Sequence, residues 1–409
     1  MTSGGKTFAR KVPSGRADFW KKGRPRLARL DLELTERCNN DCLHCSVNLP
    51  AGDVGARRRE LDTAEVRAVL EEAAALGCLA VRFTGGEPLV RDDFETIYLD
   101  ARRLGLRVRL FTNATLVTPR LAALLGATPP LERIEVSIYG MTPASEAAVT
   151  RNAGSHAAAR RGLRRLAAHG VPFVIKGAVL PPTRNEMDRL EVWAKGISGL
   201  DEPPSYAMLF DLRSRRDDVG RNSVIRGLRP APAEYLRLTA RQGEGRSIEL
   251  RRFLARFAGP AGGRLFTCLA DSGAVDAYGR FQVCLSLRHP LTVYDLRKGS
   301  LAAAVREFLP GVREMRAANP VYLERCGRCF LKAFCLQCPA KSWAEHGTLD
   351  TPVEYFCAVA HAEAVSTGVL EPGEKAWMVE DWPARVGRAA EAPDTSEKGR
   401  AAAPACEGE

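Results

Sequence analysis

No apolar run in this 409-residue chain approaches the roughly 18 residues of a membrane-spanning helix, so no membrane partner is expected. The opening stretch, Met1 to Arg10, lacks the continuous apolar segment of a secretory signal, which makes the cytoplasm the expected location. Aromatic side chains are sparse in the basic arm before Leu30, where Phe8, Phe19 and Trp20 stand beside nine lysines and arginines. That arm holds much of the net charge of +11 and has the sign to meet an acidic peptide or a nucleic-acid backbone. Without aromatics to stack bases it does not indicate a nucleic-acid partner, and a solvated terminus is the plain reading. No internal repeat is evident.

What the chain does have is cysteine, twelve in all. In a small secreted domain such a count would mean disulfides; in a long chain without a signal it means metal or redox chemistry. Three lie between Cys38 and Cys45, seven between Cys268 and Cys357, and Cys78 and Cys406 stand apart. Cys78, between Gly77 and an apolar strand, reads as a core residue, and Cys406 as incidental to a flexible tail.

From Leu30 onward short strands alternate with amphipathic helices. Strands are predicted at Leu30–Leu34, Leu79–Phe83, Arg107–Phe111, Arg133–Ile138, Pro172–Val179 and Tyr206–Phe210. Helices are predicted at Thr63–Leu76, Asp93–Leu104, Pro119–Leu125, Ser155–His169 and Glu186–Lys195, with Gly77, Gly105 and Gly170 as stop signals. Six strand–helix repeats imply an α/β fold with a parallel sheet, doubly wound or a partial barrel, whose chemistry sits at the C-terminal ends of the strands. Asp211–Pro232 reads as a connecting loop, followed by helical segments Ala233–Arg241 and Ile248–Phe257. Past Cys268 the alternation gives way to glycines, short hairpins and cysteines, as in a domain held by metal. The expected divisions are a basic arm (1–29), a barrel (30–232), a helical linker (233–267), a Cys-rich domain (268–365) and a C-terminal extension with a disordered tail (366–409).

Cys38-Asn39-Asn40-Asp41-Cys42-Leu43-His44-Cys45 follows the first strand directly. Three thiolates in one loop can hold three irons of a [4Fe–4S] cluster and leave the fourth iron open. A zinc site, with His44 as fourth ligand, is the alternative. The Cys-x3-Cys-x2-Cys spacing, with a ring-bearing residue before the last cysteine, resembles the signature of the radical S-adenosylmethionine (SAM) superfamily. The resemblance implies a partial (β/α)6 TIM-like barrel, SAM bound at the open iron, and its one-electron cleavage to a 5′-deoxyadenosyl radical that removes a hydrogen atom from substrate. Thr84-Gly85-Gly86-Glu87-Pro88, after the second strand, resembles the family's GGEP motif, with glycines that let the backbone approach the cofactor and Glu87 as acceptor for the SAM amino group. By the same resemblance Asn113, Ser137 and Arg151 are cofactor contacts, Arg151 toward the SAM carboxylate or simply as a surface residue.

The second set runs Cys268-x15-Cys284, then Cys326-x2-Cys329-x5-Cys335-x2-Cys338, then Cys357. Five residues between the two Cys-x2-Cys pairs is short for a zinc ribbon. The arrangement is similar to the SPASM domain of radical SAM maturases, which holds two auxiliary [4Fe–4S] clusters, although the last gap is one residue shorter than usual. By resemblance Cys326, Cys329, Cys335 and Cys357 hold the outer cluster, and Cys268, Cys284 and Cys338 the inner one. Gly262 stands where relatives with a closed inner cluster carry a further cysteine, which leaves an open iron or one capped by Asp271, Asp276 or Cys406.

The resemblance implies an enzyme acting on a peptide or protein by crosslinking, epimerisation or oxidation, with a flavodoxin- or ferredoxin-like one-electron reductant. Leu285, where sulfatase maturases place Asp, argues against that activity. With only about thirty residues before the barrel, leader recognition is expected from the basic arm, the C-terminal region or a separate leader-binding protein. The alternatives are a radical SAM enzyme for a small molecule, such as a tetrapyrrole or aminosugar, and a non-enzymatic metal-binding or electron-transfer protein. No general acid or base is assigned; Tyr139, Tyr206, Asp211 and Arg213 are expected near the strand ends as substrate contacts or structural residues.

Overall fold

The computed structural model describes residues 27–391 apart from 199, 201, 242, 243, 268–271 and 334. The basic arm up to residue 26, Cys268, Asp271 and Cys406 therefore lie outside the described residues. Two compact units emerge. The first takes the chain through Arg229 with Cys268–Met315 and Trp343–Glu345, and the second takes Pro230–Thr267, Arg316–Ser342 and the chain from His346.

The first unit is the expected α/β partial barrel. Strands β1 (Arg29–Thr35), β2 (Ala80–Gly85), β3 (Arg107–Thr112), β4 (Ile134–Ser137), β5 (Phe173–Ala178) and β6 (Ser205–Ala207) lie side by side in parallel. β6 is shorter than predicted, and Met208 and Phe210 beyond its end are buried. The helices form where local chemistry favours them. Asp62 and Glu65 make a reciprocal capping box at the start of Thr63–Ala75. Thr118 caps Pro119–Ala127, with proline in its first turn. Gly77, Gly105 and Gly170 each follow a helix end with positive φ, the conformation that terminates a helix most cheaply at glycine.

Three strands extend the sheet past β1: short hairpins were expected beyond Cys268, but not their place in this sheet. β7 (Ser272–Val275) runs parallel to β1, and β8 (Arg280–Gln282) and β9 (Val293–Asp295) continue antiparallel. The main-chain ladder from Arg29–Leu32 to Ser272–Val275 places this segment in the first unit rather than in the Cys-rich domain expected over 268–365. The loop expected over Asp211–Pro232 contains a helix, Val219–Leu228, capped by the Asp218 side chain and anchored by buried Ile225 against Phe210 and Leu212. A further helix, Pro143–Thr150, opens on a Thr142–Ser145 capping box.

Along β1, Leu30, Leu32 and Leu34 alternate with Asp31, Glu33 and Thr35, all buried. The polar set belongs to a charge ladder that crosses the strands. Arg82 pairs with Asp31 and stacks on Phe111, while Arg109 bonds Glu132 at 2.7 Å and Glu135 at 3.3 Å. Lys176 reaches Glu135 at 3.5 Å. Each buried charge thus has a partner on a neighbouring strand or loop.

The second unit is helical. Pro232–Ala240 and Glu244–Phe257 match the predicted helices; Glu354–Ser366 and Trp382–Glu391 do not appear in the sequence reading. Leu254, Phe330, Leu331, Ala364, Val369, Leu370 and Val386 form its core, with Phe330 stacked on Trp382 at 5.7 Å. The C-terminal extension is folded as far as Glu391, where Trp382, Val386 and Ala389 lie at helical spacing and join this core; the tail expected to be disordered from about Ala389 lies almost wholly outside the described residues. The division expected between Pro232 and Ala233 falls at Arg229/Pro230. Among the described residues no helix is long and apolar enough to cross a membrane.

Candidate metal and cofactor site

The loop bearing Cys38, Cys42 and Cys45 leaves the C-terminal end of β1 and is tied down on two sides. Asp41 and Leu43 donate backbone N–H groups to the carbonyls of Thr150 (2.8 Å) and Val149 (3.0 Å). An asparagine network holds its interior: Asn152 bonds the Asn39 carbonyl and the Asn40 side chain, and Asn48 bonds Asn40 and Asp41. Arg221 adds a bond to the Cys42 carbonyl at 2.8 Å. These asparagines were missed at the sequence level; their density around the motif was the available signal.

Two N–H groups point at Cys38 Sγ, from the Asn40 backbone at 3.4 Å and from Asn113 Nδ2 at 3.9 Å. Such donors stabilise a thiolate. Burial nevertheless pushes the Cys38 thiol up to about 12, with Glu87 and Cys45 adding like-charge cost. Burial raises Cys42 well above the ordinary thiol range, with Cys45 and Cys38 adding to it. Buried thiolates this close together call for a cation, and iron reverses the balance. Among the described residues no three His, Cys, Asp or Glu side chains close on a single metal-ion position. A cubane fits the loop better, since each thiolate takes its own iron. His44 packs on Tyr139 and Phe210 at 4.9 and 5.2 Å, and its buried Nδ1 has no hydrogen-bond partner. Burial lowers its pKa to about 4, leaving the ring neutral at physiological pH.

The Gly85-Gly86-Glu87-Pro88 segment meets this loop from below, and its glycines have a cause the sequence did not reveal. Gly85 adopts φ of +118°, and a Cβ there would stand 2.1 Å from the Thr35 carbonyl oxygen. The close approach is to the chain leading into Cys38. Gly86 donates to Thr35 O at 2.7 Å and Glu87 to Arg37 O at 2.9 Å. The Glu87 side chain is buried, with Thr112 Oγ1 and the Leu89 N–H on Oε1 and the Asn113 N–H on Oε2. Burial lifts its pKa to about 7. Oε2 accepts one of these hydrogen bonds, which leaves it a lone pair for an outside donor. Pro88 opens the short 3-10 turn after Glu87.

Asn113, at the end of β3, also bonds Asn39 at 2.9 Å and so couples the two motifs. Ser137 ends β4 and bonds the half-buried Tyr139, whose hydroxyl pKa desolvation raises well above its ordinary value. Arg151, left-handed at φ 53°, directs its guanidinium to Asp41 at 3.0 Å. Arg213 is buried, bonding the Asn48 carbonyl and Asp217. Tyr206 bonds Met187 and Glu191, and Asp211 accepts from Ser286.

In the second unit Cys326, Cys329, Cys335 and Cys357 line one cavity, together with Arg325, Lys332, His361 and Trp377. Burial pushes Cys329 and Cys335 up to about 12 and also raises Cys326 and Cys357; neighbouring thiols add to the first three, while Arg325 opposes the rise at Cys357. Cys338 is not part of that lining and precedes the helix Pro339–His346. Cys284 lies half-buried in the first unit. Asp276, considered as a cap for an inner cluster, accepts the N–H groups of Tyr278 and Arg280 in the β7–β8 turn.

A strand-end loop of three thiols with a glycine-glycine-glutamate turn locked beneath it defines a class, and residues 32–193 match the radical SAM superfamily. That stretch, about two-fifths of the chain, is similar to the radical SAM domain. Among relatives, the PqqA peptide cyclase of Gluconobacter oxydans is 38% identical over 148 residues, 36% of this chain and 40% of that protein. The chain thus spans about two-fifths of the length of that relative. The AdoMet-dependent heme synthase of Methanosarcina barkeri is 26% identical over 343 residues, 77% of this chain and 92% of that protein. In fold the chain is similar to Streptococcus suis SuiB bound to S-adenosylmethionine, with a TM-score of 0.58 at 16% identity over 81% of this chain and 77% of that one. SuiB is also known bound to its precursor peptide SuiA.

Proposed function

We propose that this protein is a SPASM-type radical SAM enzyme that abstracts a hydrogen atom from a peptide or protein substrate. The observation that carries the proposal is the Cys38–Cys45 loop at the C-terminal edge of the sheet, held by main-chain bonds to Val149 and Thr150, with Gly86 and Glu87 bonded to Thr35 and Arg37 just ahead of it. Cys38, Cys42 and Cys45 would hold the cluster, with Gly85, Gly86, Glu87, Pro88, Asn113, Ser137 and Arg151 around SAM. When bound, the cluster and SAM supply the one-electron cleavage that yields the 5′-deoxyadenosyl radical. The chain's own residues prepare the site for it. Asn40 and Asn113 direct N–H groups at Cys38, and Glu87 keeps an acceptor position for an ammonium group. His44, Tyr139 and Phe210 form an apolar wall that excludes water from a reactive species.

The peptide reading is supported by the relatives, which include a peptide cyclase and a fold neighbour known with its precursor peptide. It is supported also by a pocket of about 520 Å³ beside the loop, lined by Glu36, Arg59, Arg215, Asp217, Tyr278 and Arg280 among others. Its mixed arginine and carboxylate lining suits a polypeptide with charged side chains. Auxiliary [4Fe–4S] clusters at Cys326, Cys329, Cys335 and Cys357, and at Cys268, Cys284 and Cys338, complete the proposal, with a flavodoxin- or ferredoxin-like reductant, a separate leader-binding protein and a cytoplasmic location. The 92% coverage of the heme synthase favours a second reading, a tetrapyrrole substrate.

Anaerobic reconstitution followed by assay for 5′-deoxyadenosine tests the core of the proposal. Production that is abolished by Cys38→Ala, Cys42→Ala or Cys45→Ala is expected, and production that survives these changes would refute it. A peptide mass change requiring both SAM and reductant separates the peptide reading from the tetrapyrrole reading.

A further inference from the structure

Lys332 stands midway between Cys329 and Cys335, in the short 3-10 turn Phe330–Ala333, and is 9% exposed. Its side chain lines the four-cysteine cavity. Nζ donates to the Gln337 carbonyl at 3.0 Å and lies 5.6 Å from the Tyr322 ring centre. Among the described residues no carboxylate forms a salt bridge with it. The neighbouring cation is different: Arg325 is neutralised by Glu354 through bonds of 2.7 and 2.8 Å. A buried ammonium without a carboxylate is costly unless another anion stands near, and the candidates in this cavity are the thiolates themselves.

We infer that Lys332 is a fixed counter-charge that raises the reduction potential of the cluster at Cys326, Cys329, Cys335 and Cys357, an inference that rests on the auxiliary-cluster reading above. Four thiolates make an oxidised [4Fe–4S] cluster anionic, and reduction adds one electron and no proton. A cation in the cavity wall therefore favours the reduced form, and the low dielectric of the cavity enlarges the effect. Arg325 donates to Cys357 Sγ at 3.8 Å but shares its charge with Glu354, whereas among the described residues Lys332 has no carboxylate in a salt bridge with it. Lys332 so biases this cluster toward accepting an electron, from the external reductant or from a substrate radical.

The test is potentiometric titration of the reconstituted full-length protein with dithionite and mediators, read by electron paramagnetic resonance. It is done in a Cys38→Ala/Cys42→Ala background to silence the first loop. The signal of this site is the one that Cys335→Ala removes. Lys332→Met is expected to lower its equilibrium constant for reduction tenfold or more, about 59 mV for a one-electron couple. Lys332→Arg is expected to stay within that margin. An unchanged potential in Lys332→Met, or an equal shift in Lys332→Arg, overturns the inference. Should Lys332→Met fail to assemble the cluster, Lys332→Gln, which keeps an N–H donor for Gln337, is read in its place. Loss of the signal in all three variants assigns Lys332 to packing and also overturns the inference. A parent protein that never shows the signal counts against the cluster reading instead.

Discussion

A Cβ at position 86 would stand 2.3 Å from the carbonyl oxygen of Arg37, so Gly86 and Arg37 can approach as they do only while residue 86 has no side chain. Gly86 N–H donates to Thr35 O beside this approach, and Glu87 N–H donates to Arg37 O, one residue before Cys38. Gly86→Ala is expected to destabilise the protein by about 1–3 kcal/mol through overpacking. Iron content after reconstitution should fall with it. Thermal denaturation and iron analysis check this, and an Ala variant with parental stability and iron would show that the backbone yields freely.

Glu87 gives a pH signature. Its carboxyl pKa is near 7 in the folded protein against 4.5 ordinarily, because burial disfavours the charge. The folded state therefore holds the proton more tightly, and the stability from this group falls as pH rises from 4.5 to 7. Glu87→Gln cannot titrate, so the stability difference between parent and variant should shift by about 3 kcal/mol over that window. Buried histidines such as His44 act oppositely in both proteins and cancel in the difference. Denaturant midpoints at several pH values measure it, and a constant difference would contradict the raised pKa.

The second unit separates two cysteines only three positions apart. Cys335→Ala should lose about four irons, the content of one cubane. Cys338→Ala should spare the signal of that cavity, because Cys338 is not part of its lining. Iron and sulfide counts with spectra of both variants decide it; identical losses would merge the two cysteines into one site.

Arg213 was a candidate substrate contact by sequence, but it is buried and clamps the Asn48 carbonyl to Asp217. Arg213→Met is expected to cost about 2 kcal/mol, as removal of hydrogen bonds to a charged group does. A stable variant with only a raised KM would restore the substrate role.

Trp382→Ala tests the folded extension. Loss of the stack on Phe330 and of contacts to the second core should cost about 2–3 kcal/mol, somewhat below the usual range for a fully buried ring. Limited proteolysis should then cleave near Glu371–Trp382 earlier than in the parent protein. Unchanged resistance would mean that the terminal helix adds little.

The six parallel strands were legible because each is a short apolar run closed by a local turn signal. The cysteine loop was legible because all three thiols lie within eight residues. What escaped depends on distant partners. β7 joins β1 across more than two hundred residues, and nothing in Ser272–Val275 itself names that neighbour. Val219–Leu228 carries Gly220 and Gly227, poor helix formers that tertiary burial of Ile225 overrides. Gly85 and Gly86 were correctly singled out, but their reason lies fifty residues upstream. Arg213 stayed open between substrate contact and structural residue because its partner, Asn48, is remote in sequence. The terminal helix could have been found, since Trp382, Val386 and Ala389 keep helical spacing within an otherwise alanine- and proline-rich stretch.

The seams that fasten Asp41 and Leu43 to Val149 and Thr150, and Gly86 and Glu87 to Thr35 and Arg37, are made of peptide groups and owe nothing to iron. Stripping the metal with a chelator should thus leave a standing socket, unlike a zinc finger, which melts when its ion departs. Oxygen damage to the cubane then becomes a reversible loss of cargo, and the same polypeptide can be refilled by the cell's assembly machinery instead of being discarded.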